Sequence, residues 1–189
     1  MQKIKQLWSE FAEKHPELSN WVREGGLFFL VSNLITFIRG FMIEILENQF
    51  AFLGGSAIGF PGIMLNIFGI EFPWYILGAN EVQGGVAHFV ALLVSMWVCE
   101  IINFFLQRKF VFRSNGKIGR QATLYFLAFA IVTLVVNAIS NIWDNIALHF
   151  LPSVICDLGT TFLTGGVAMV VFFFANRFIF KESDSAPKK

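Results

Sequence analysis

Two short stretches hold residues that could do chemistry. Glu100 to Ser114, EIINFFLQRKFVFRS, turns abruptly from apolar to basic. Phe172 to Lys181, FFFANRFIFK, repeats its ending. In each, an amide (Gln107, Asn176) precedes an arginine (Arg108, Arg177), and apolar residues closing on phenylalanine lead to a further cation (Arg113, Lys181). The second copy is one residue shorter between the arginine and the last phenylalanine. With Lys109, these cations are candidates for holding an anion, because an arginine presents a planar fork of donors that fits a carboxylate or phosphate. The competing account is plain topology, since lysine and arginine collect at cytoplasmic helix ends in nearly all membrane proteins.

Glu100 is a sharper signal. An ionisable group inside an apolar run costs roughly 2.5–3.5 kcal/mol on insertion scales and faces a bundle interior or a wet cavity. Asn103 lies three residues on and shares its helix face. Glu100 either lines a polar path or pairs with Arg39, the one lysine or arginine outside the basic segments. Arg39 itself has three options: Glu44, Glu100, or the outer headgroups, which its long side chain can reach. Asn33, Asn137, Asn141 and Thr164 either line the same path or bond helix to helix. His15, His88 and His149 have no metal-ligand spacing, and there is no phosphate-cradling glycine loop, no nucleophile elbow and no acidic pair on a basic loop. Neither enzyme nor nucleic-acid chemistry is indicated, and no cofactor is implied.

The elements that must position these residues are membrane helices. Of 189 residues, 56% are hydrophobic and 14% charged, against about 25% charged in a soluble domain. Four apolar runs are long enough to cross hydrocarbon: Gly25–Leu46, 86–107, 121–143 and about 154–178. Ahead of them, 1–20 is amphipathic, with Ile4, Leu7, Trp8 and Phe11 on one face, and reads as a helix on the membrane surface that stops at His15-Pro16. A fresh helix start is expected at Ser19. Cys99 and Cys156 fall at different depths and are expected as buried, unpaired thiols. The polar tail 183–189 has nothing to build a core with and is expected to be disordered.

Residues 48–84 look like a fifth span but hold Gly54, Gly55, Gly59, Pro61, Gly62 and Gly69, too many breakers for a helix. They are expected to form an outer loop, with Phe72, Trp74 and Tyr75 as an interfacial belt and Gly55-x-x-x-Gly59 as a weak helix-packing motif. Apart from Arg39, every lysine and arginine lies before residue 25, between 107 and 121, or after 176. Four spans place all of these on one side, so both termini and the 108–120 loop are expected in the cytoplasm. Arg23 to Leu30 can be laid over Arg120 to Leu127, so starts as well as ends recur. The expected architecture is all-α: four transmembrane helices in one membrane domain (1–182), as two parallel two-helix repeats (20–114 and 118–182), with the 48–84 loop joining the two helices of repeat one on the outer side.

The paired exits resemble a known family. Asn103 to Arg113 resembles the signature ending the second helix of GtrA-like proteins, Asn176 to Phe180 resembles the end of their fourth, and Phe28 to Asn33 with Thr36 resembles their first-helix opening. The resemblance covers roughly 20–182; the long 48–84 segment and Arg39 depart from it. It implies a small four-helix protein of the bacterial inner membrane that moves a polyprenyl-phosphate sugar across the bilayer beside a membrane glycosyltransferase. Arg108, Lys109, Arg113, Arg177 and Lys181 would then meet the lipid phosphate, and Glu100, Asn103, Arg39, Asn33, Asn137 and Asn176 would line or flank the path. Two other classes compete: a non-transporting subunit that anchors the glycosyltransferase, and a small exporter, which would need a deep acid in its first span. Four helices enclose little volume, so a homodimer is compatible with any of these.

Overall fold

A computed structural model of the chain describes residues 2–81 and 84–182; the side chains at 2–5, 7, 8, 153, 154, 157, 181 and 182 lie outside the described set. The expected face of Ile4, Leu7 and Trp8 and the side chain of Lys181 therefore fall outside it, as does the tail. Helix α1 (Gln2–Lys14) stops before Pro16 as the proline rule requires. Helix α2 (Pro16–Phe50) begins at that proline, not at Ser19. A proline in the first turn loses only an N–H that has no helical partner. Helix α3 (Gly85–Leu106) runs into a π-helical turn, Gln107–Val111. Helix α4 is Ile118–Phe150. Helix α5 (Ser153–Thr161) passes through a second π turn, Phe162–Val167, into α6 (Ala168–Glu182).

Four stretches are long and apolar enough to cross a membrane: Pro16–Leu53, Gly85–Val111, Ile118–Phe150 and Leu158–Phe180. Their outward faces carry large apolar side chains, among them Leu30, Phe37, Phe174 and Phe178, each more than half exposed. Lipid is the solvent that makes such a surface stable. The protein is a multi-pass membrane protein with a mostly helical fold.

Within the expected 48–84 loop, 48–50 still belong to α2, and 58–79 form a structure of their own. Strands β1 (Ile58–Ile67) and β2 (Ile70–Ala79) pair antiparallel, with register shifts around Pro61. Phe68 and Gly69 both have positive φ, 54° and 81°, the requirement of a two-residue turn that matches strand twist. The hairpin is not an interfacial belt: Phe72 is buried, and Trp74 Nε1 donates to the Ala138 carbonyl of α4 at 3.1 Å. Nor does Gly55-x-x-x-Gly59 join helices. Gly59 sits in β1 against Tyr75, and the Gly54 and Ser56 carbonyls accept from Ala87 and Val86 at the start of α3. That close approach needs Gly85, whose φ is 58° and whose Cβ would overlap the Gly55 carbonyl.

The packed core sits at the opposite end, where α3 and α6 finish. Phe28, Phe104, Val111, Phe112, Tyr125, Ile179 and Phe180 form one buried cluster. The Phe112 and Phe180 rings stack at 5.2 Å, Phe28 meets Phe173 at 5.4 Å, and Tyr125 meets Phe104 at 5.3 Å.

Candidate functional site

Above this aromatic core a cavity of about 140 Å³ opens between α2, α3 and α6, with Tyr125 reaching in from α4. Its polar wall is a stripe on α3, Glu100, Asn103 and Gln107, whose spacing of three and four residues keeps them on one face. Facing it are Ala168, Met169 and Phe172 of α6 and Phe28 and Ile35 of α2. Thr164 and Gly165, in the second π turn, line its far end; π turns recur at functional sites because they re-aim a few groups of a helix without ending it.

The stripe is hydrogen-bonded end to end. Arg39 Nη2 donates to Glu100 Oε1 at 2.6 Å. Tyr125 Oη and Asn103 Nδ2 donate to Glu100 Oε2 at 2.7 and 3.2 Å. Gln107 Nε2 donates to Asn103 Oδ1 at 3.0 Å, and Asn176 Nδ2 donates to Gln107 Oε1 at 2.9 Å. Glu100 is thus compensated by one cation and two neutral donors, as a carboxylate removed from water requires. Arg39 reaches it because side chains lean toward a helix N-terminus. Arg23 at the lower end of α2 donates to the Val111 carbonyl at 3.2 Å. Counting about 1.5 Å per residue from there, Arg39 starts about 7 Å above Glu100 and leans down to it. Among the residues lining the cavity, two have a buried polar atom without a hydrogen-bond partner, Asn176 Oδ1 and Arg39 Nε.

The basic rim is arranged differently from five open cations. Arg108 points inward: its Nε donates to Gln121 Oε1 at 2.8 Å and its Nη2 to the Gly116 carbonyl at 3.0 Å. Arg177, 9% exposed, is ion-paired through Nη1 to Glu24 and lies 3.4 Å from the Trp21 ring centre. Lys109 is exposed, over the Phe110 ring, and Arg113 is exposed with φ of 50° where the α3 segment ends. The rim therefore offers Lys109 and Arg113 to solvent, while the two arginines of the repeated motif hold helix ends together.

The structure brings together Glu100, Asn103, Arg39 and Asn176. It does not bring Asn33, whose Nδ2 bonds the Phe29 carbonyl on an exposed face of α2, nor Asn137, which is absent from the cavity lining. Glu44 is exposed and is not Arg39's partner. Tyr125, Glu24 and Gln121 are not among the residues that sequence reasoning singles out, and Gln107 stands there only as the amide of the first exit, not as a member of the polar stripe. Gln107 had a legible signal, as the third member of the Glu100, Asn103, Gln107 stripe. Both cysteines are free and buried. Among the described residues no cluster of histidine, cysteine, aspartate or glutamate could hold a metal. Comparison of the chain with known families, curated proteins and solved structures finds no match.

Proposed function

We propose that this protein moves a polyprenyl-phosphate-linked sugar across a bacterial cytoplasmic membrane, with both termini and the 108–120 loop on the cytoplasmic side. The observation that carries the reading is the cavity: a polar stripe and an apolar wall face each other inside membrane-spanning helices. A headgroup that must cross hydrocarbon needs hydrogen-bond partners along its way, and its isoprenoid chain needs an apolar flank. Lys109 and Arg113 stand exposed at the rim, where a phosphate in the cytoplasmic leaflet would lie.

The same proposal holds the fold to be two parallel two-helix repeats. What supports it is that residues equivalent in the two exits meet in equivalent ways. Gln107 bonds Asn176, its counterpart. Phe112 stacks on Phe180, its counterpart. Arg108 at the end of one unit bonds Gln121 at the start of the other, as Arg177 bonds Glu24. A two-fold pseudo-axis along the membrane normal generates this pattern.

One observation favours the competing reading of a non-transporting subunit: Arg108 and Arg177 are occupied by protein groups and have little left for a lipid. Reconstitution separates the two. Purified protein alone in liposomes is given a fluorescent short-chain polyprenyl-phosphate sugar on one face. Transport predicts accelerated access of the sugar to the other face; a rate equal to that of empty liposomes, with the protein folded, leaves the subunit reading.

A further inference from the structure

We infer that the cavity opens sideways into the bilayer, through a window between α2 and the second π turn, and that the hydrocarbon chain of a membrane lipid occupies this window. The inference rests on the four membrane spans and not on translocation, to which it adds the route by which a lipid reaches the cavity.

The window follows from comparing two interfaces. Laying 23–30 over 120–127 sets Phe28 on Tyr125 and, carried on at the same offset, Ser32 on Phe129. Laying the exits over each other sets Asn176 on Gln107, hence Phe173 on Phe104 and Gly166 on Trp97. At the level of the aromatic core the two interfaces match: Phe104 meets Tyr125 at 5.3 Å, and Phe173 meets Phe28 at 5.4 Å. About two turns higher they differ. Between α3 and α4, Trp97 packs on Phe126 and Phe129 at 5.9 and 6.0 Å. Between α6 and α2 the corresponding places hold Ser32 and the Gly165-Gly166 pair of the π turn. A Cβ on Gly165 would meet nothing within 4 Å.

The cavity reaches the surface at that gap. Its lower lining is buried, at Phe28, Gln107 and Asn176, whereas Thr36, Thr164 and Gly165 at its upper end are exposed. Thr36 stands about 20 Å above Arg23 by helix rise, inside a hydrocarbon layer about 30 Å thick. The mouth therefore faces lipid and not water. Phe37 and Phe162 beside it are apolar and exposed. The rim asks for nothing polar. Thr36 Oγ1 donates to the Ser32 carbonyl at 2.9 Å and Thr164 Oγ1 to the Thr160 carbonyl at 2.8 Å, which spends both hydroxyls on their own helices. Left empty, such a gap forfeits dispersion contacts along its walls. A chain from the surrounding bilayer restores them.

The test uses purified full-length protein in phosphatidylcholine liposomes that contain a phosphatidylcholine with a diazirine on its acyl chain. After irradiation, adducts are mapped by mass spectrometry. Wild type is expected to carry adducts on buried Ile35 and Ala168, inside the cavity, as well as on lipid-facing Phe37 and Val170. Gly165→Trp supplies the ring that Trp97 supplies at the other interface. It should lose the adducts on Ile35 and Ala168, keep those on Phe37 and Val170, and melt no lower than wild type. Thr36→Phe closes the window from α2 and should lose the same two adducts. Val170→Trp adds the bulk outside the window and should keep them. Wild type labelled at Phe37 and Val170 alone overturns the inference, as do cavity adducts that persist in a folded Gly165→Trp or Thr36→Phe. A disulfide-linked dimer formed by Thr164→Cys, with Cys99 and Cys156 replaced by alanine, would give the window to a second copy and overturn it too. Cavity adducts without transport keep the inference and remove the translocation reading; transport without them does the reverse.

Discussion

Glu100 and Arg39 form a pair whose halves cannot be removed singly at low cost. Glu100→Gln keeps the shape and an acceptor for Tyr125 but leaves Arg39 without a counter-charge. Breaking a buried pair costs about 3–5 kcal/mol, and the quarter of the Arg39 side chain that stays exposed puts the expected loss near the lower figure. Thermal unfolding in detergent should show Glu100→Gln several degrees below wild type, with stability recovered when Arg39→Gln is added; a double variant no better than the single one would mean that the pair is not the source. Arg177→Lys should also lower the melting temperature, because an ammonium cannot both pair with Glu24 and lie flat on Trp21. These positions show what sequence resolves at the scale of one residue. Depth was legible, because charge in an apolar run is expensive, and so was the short list of partners for Arg39. Azimuth was not. Whether Arg108 and Arg177 turn to the lipid or to the neighbouring helix depends on Gln121 and Glu24, which lie beyond any local pattern.

Two elements depart from regular helix and strand expectations, each for a local reason. The first exit is one residue longer than the second, and the π turn Gln107–Val111 sits where the extra residue falls. One wide turn absorbs one residue without rotating the residues after it, so Val111 and Phe112 stay buried like Ile179 and Phe180. Deleting exposed Lys109 should then convert the π turn to α-helix and leave the melting temperature within a few degrees of wild type. Deleting equally exposed Phe178, where α6 has no such slack, should turn Ile179 and Phe180 out of the core and unfold the protein. Equal damage from both deletions would refute the absorbed-residue account. The hairpin was illegible for a different reason: its glycines and prolines read as helix breakers, which they are, but two apolar ten-residue runs around Phe68-Gly69 also satisfy the hairpin pattern. Docking of the hairpin on α4 leaves a titratable mark. Burial, and then the Asp144 carboxylate, raise the Tyr75 hydroxyl above its usual value near 10. A raised folded value means that the neutral form is favoured, so the contribution is complete below about pH 10 and is lost as pH rises through the folded value. Ultraviolet titration of Tyr125→Phe, in which Tyr75 is the one tyrosine left, should give a midpoint above 10; a midpoint at or below 10 would mean that Tyr75 is not buried by docking of the hairpin on α4.

At the scale of the whole molecule the two ends of the bundle differ in kind, and the difference fixes which loops share a side. At one end α3 and α6 finish against the starts of α2 and α4, through Arg23 on Val111, Arg108 on Gln121 and Arg177 on Glu24, and against each other through Ser114 on the Phe180 carbonyl. At the other end the hairpin closes on α3 and α4, through Gly54 and Ser56 on the first turn of α3 and Trp74 on Ala138, while Trp143 of α4 ties down α5 through the Cys156 carbonyl. Four crossings put the hairpin and the α4–α5 connection on one face of the membrane and the 112–117 connection on the other. The first end carries the basic rim, which the proposed topology places in the cytoplasm because lysine and arginine collect on that side. Labelling can read this directly. Cys99 and Cys156 are buried, so replacing both with alanine gives a background in which single cysteines report sidedness. Phe68, 86% exposed at the hairpin tip, and Lys117, exposed before α4, are the positions to use; Ser114 is buried and would mislead. With a membrane-impermeant maleimide on intact cells, Phe68→Cys should label at once and Lys117→Cys only after the membrane is opened. Labelling of both from outside would break the four-span arrangement itself. The reverse pattern would keep the four spans and invert them, placing Lys109 and Arg113 outside and removing the cytoplasmic phosphate contact on which entry of the lipid headgroup depends.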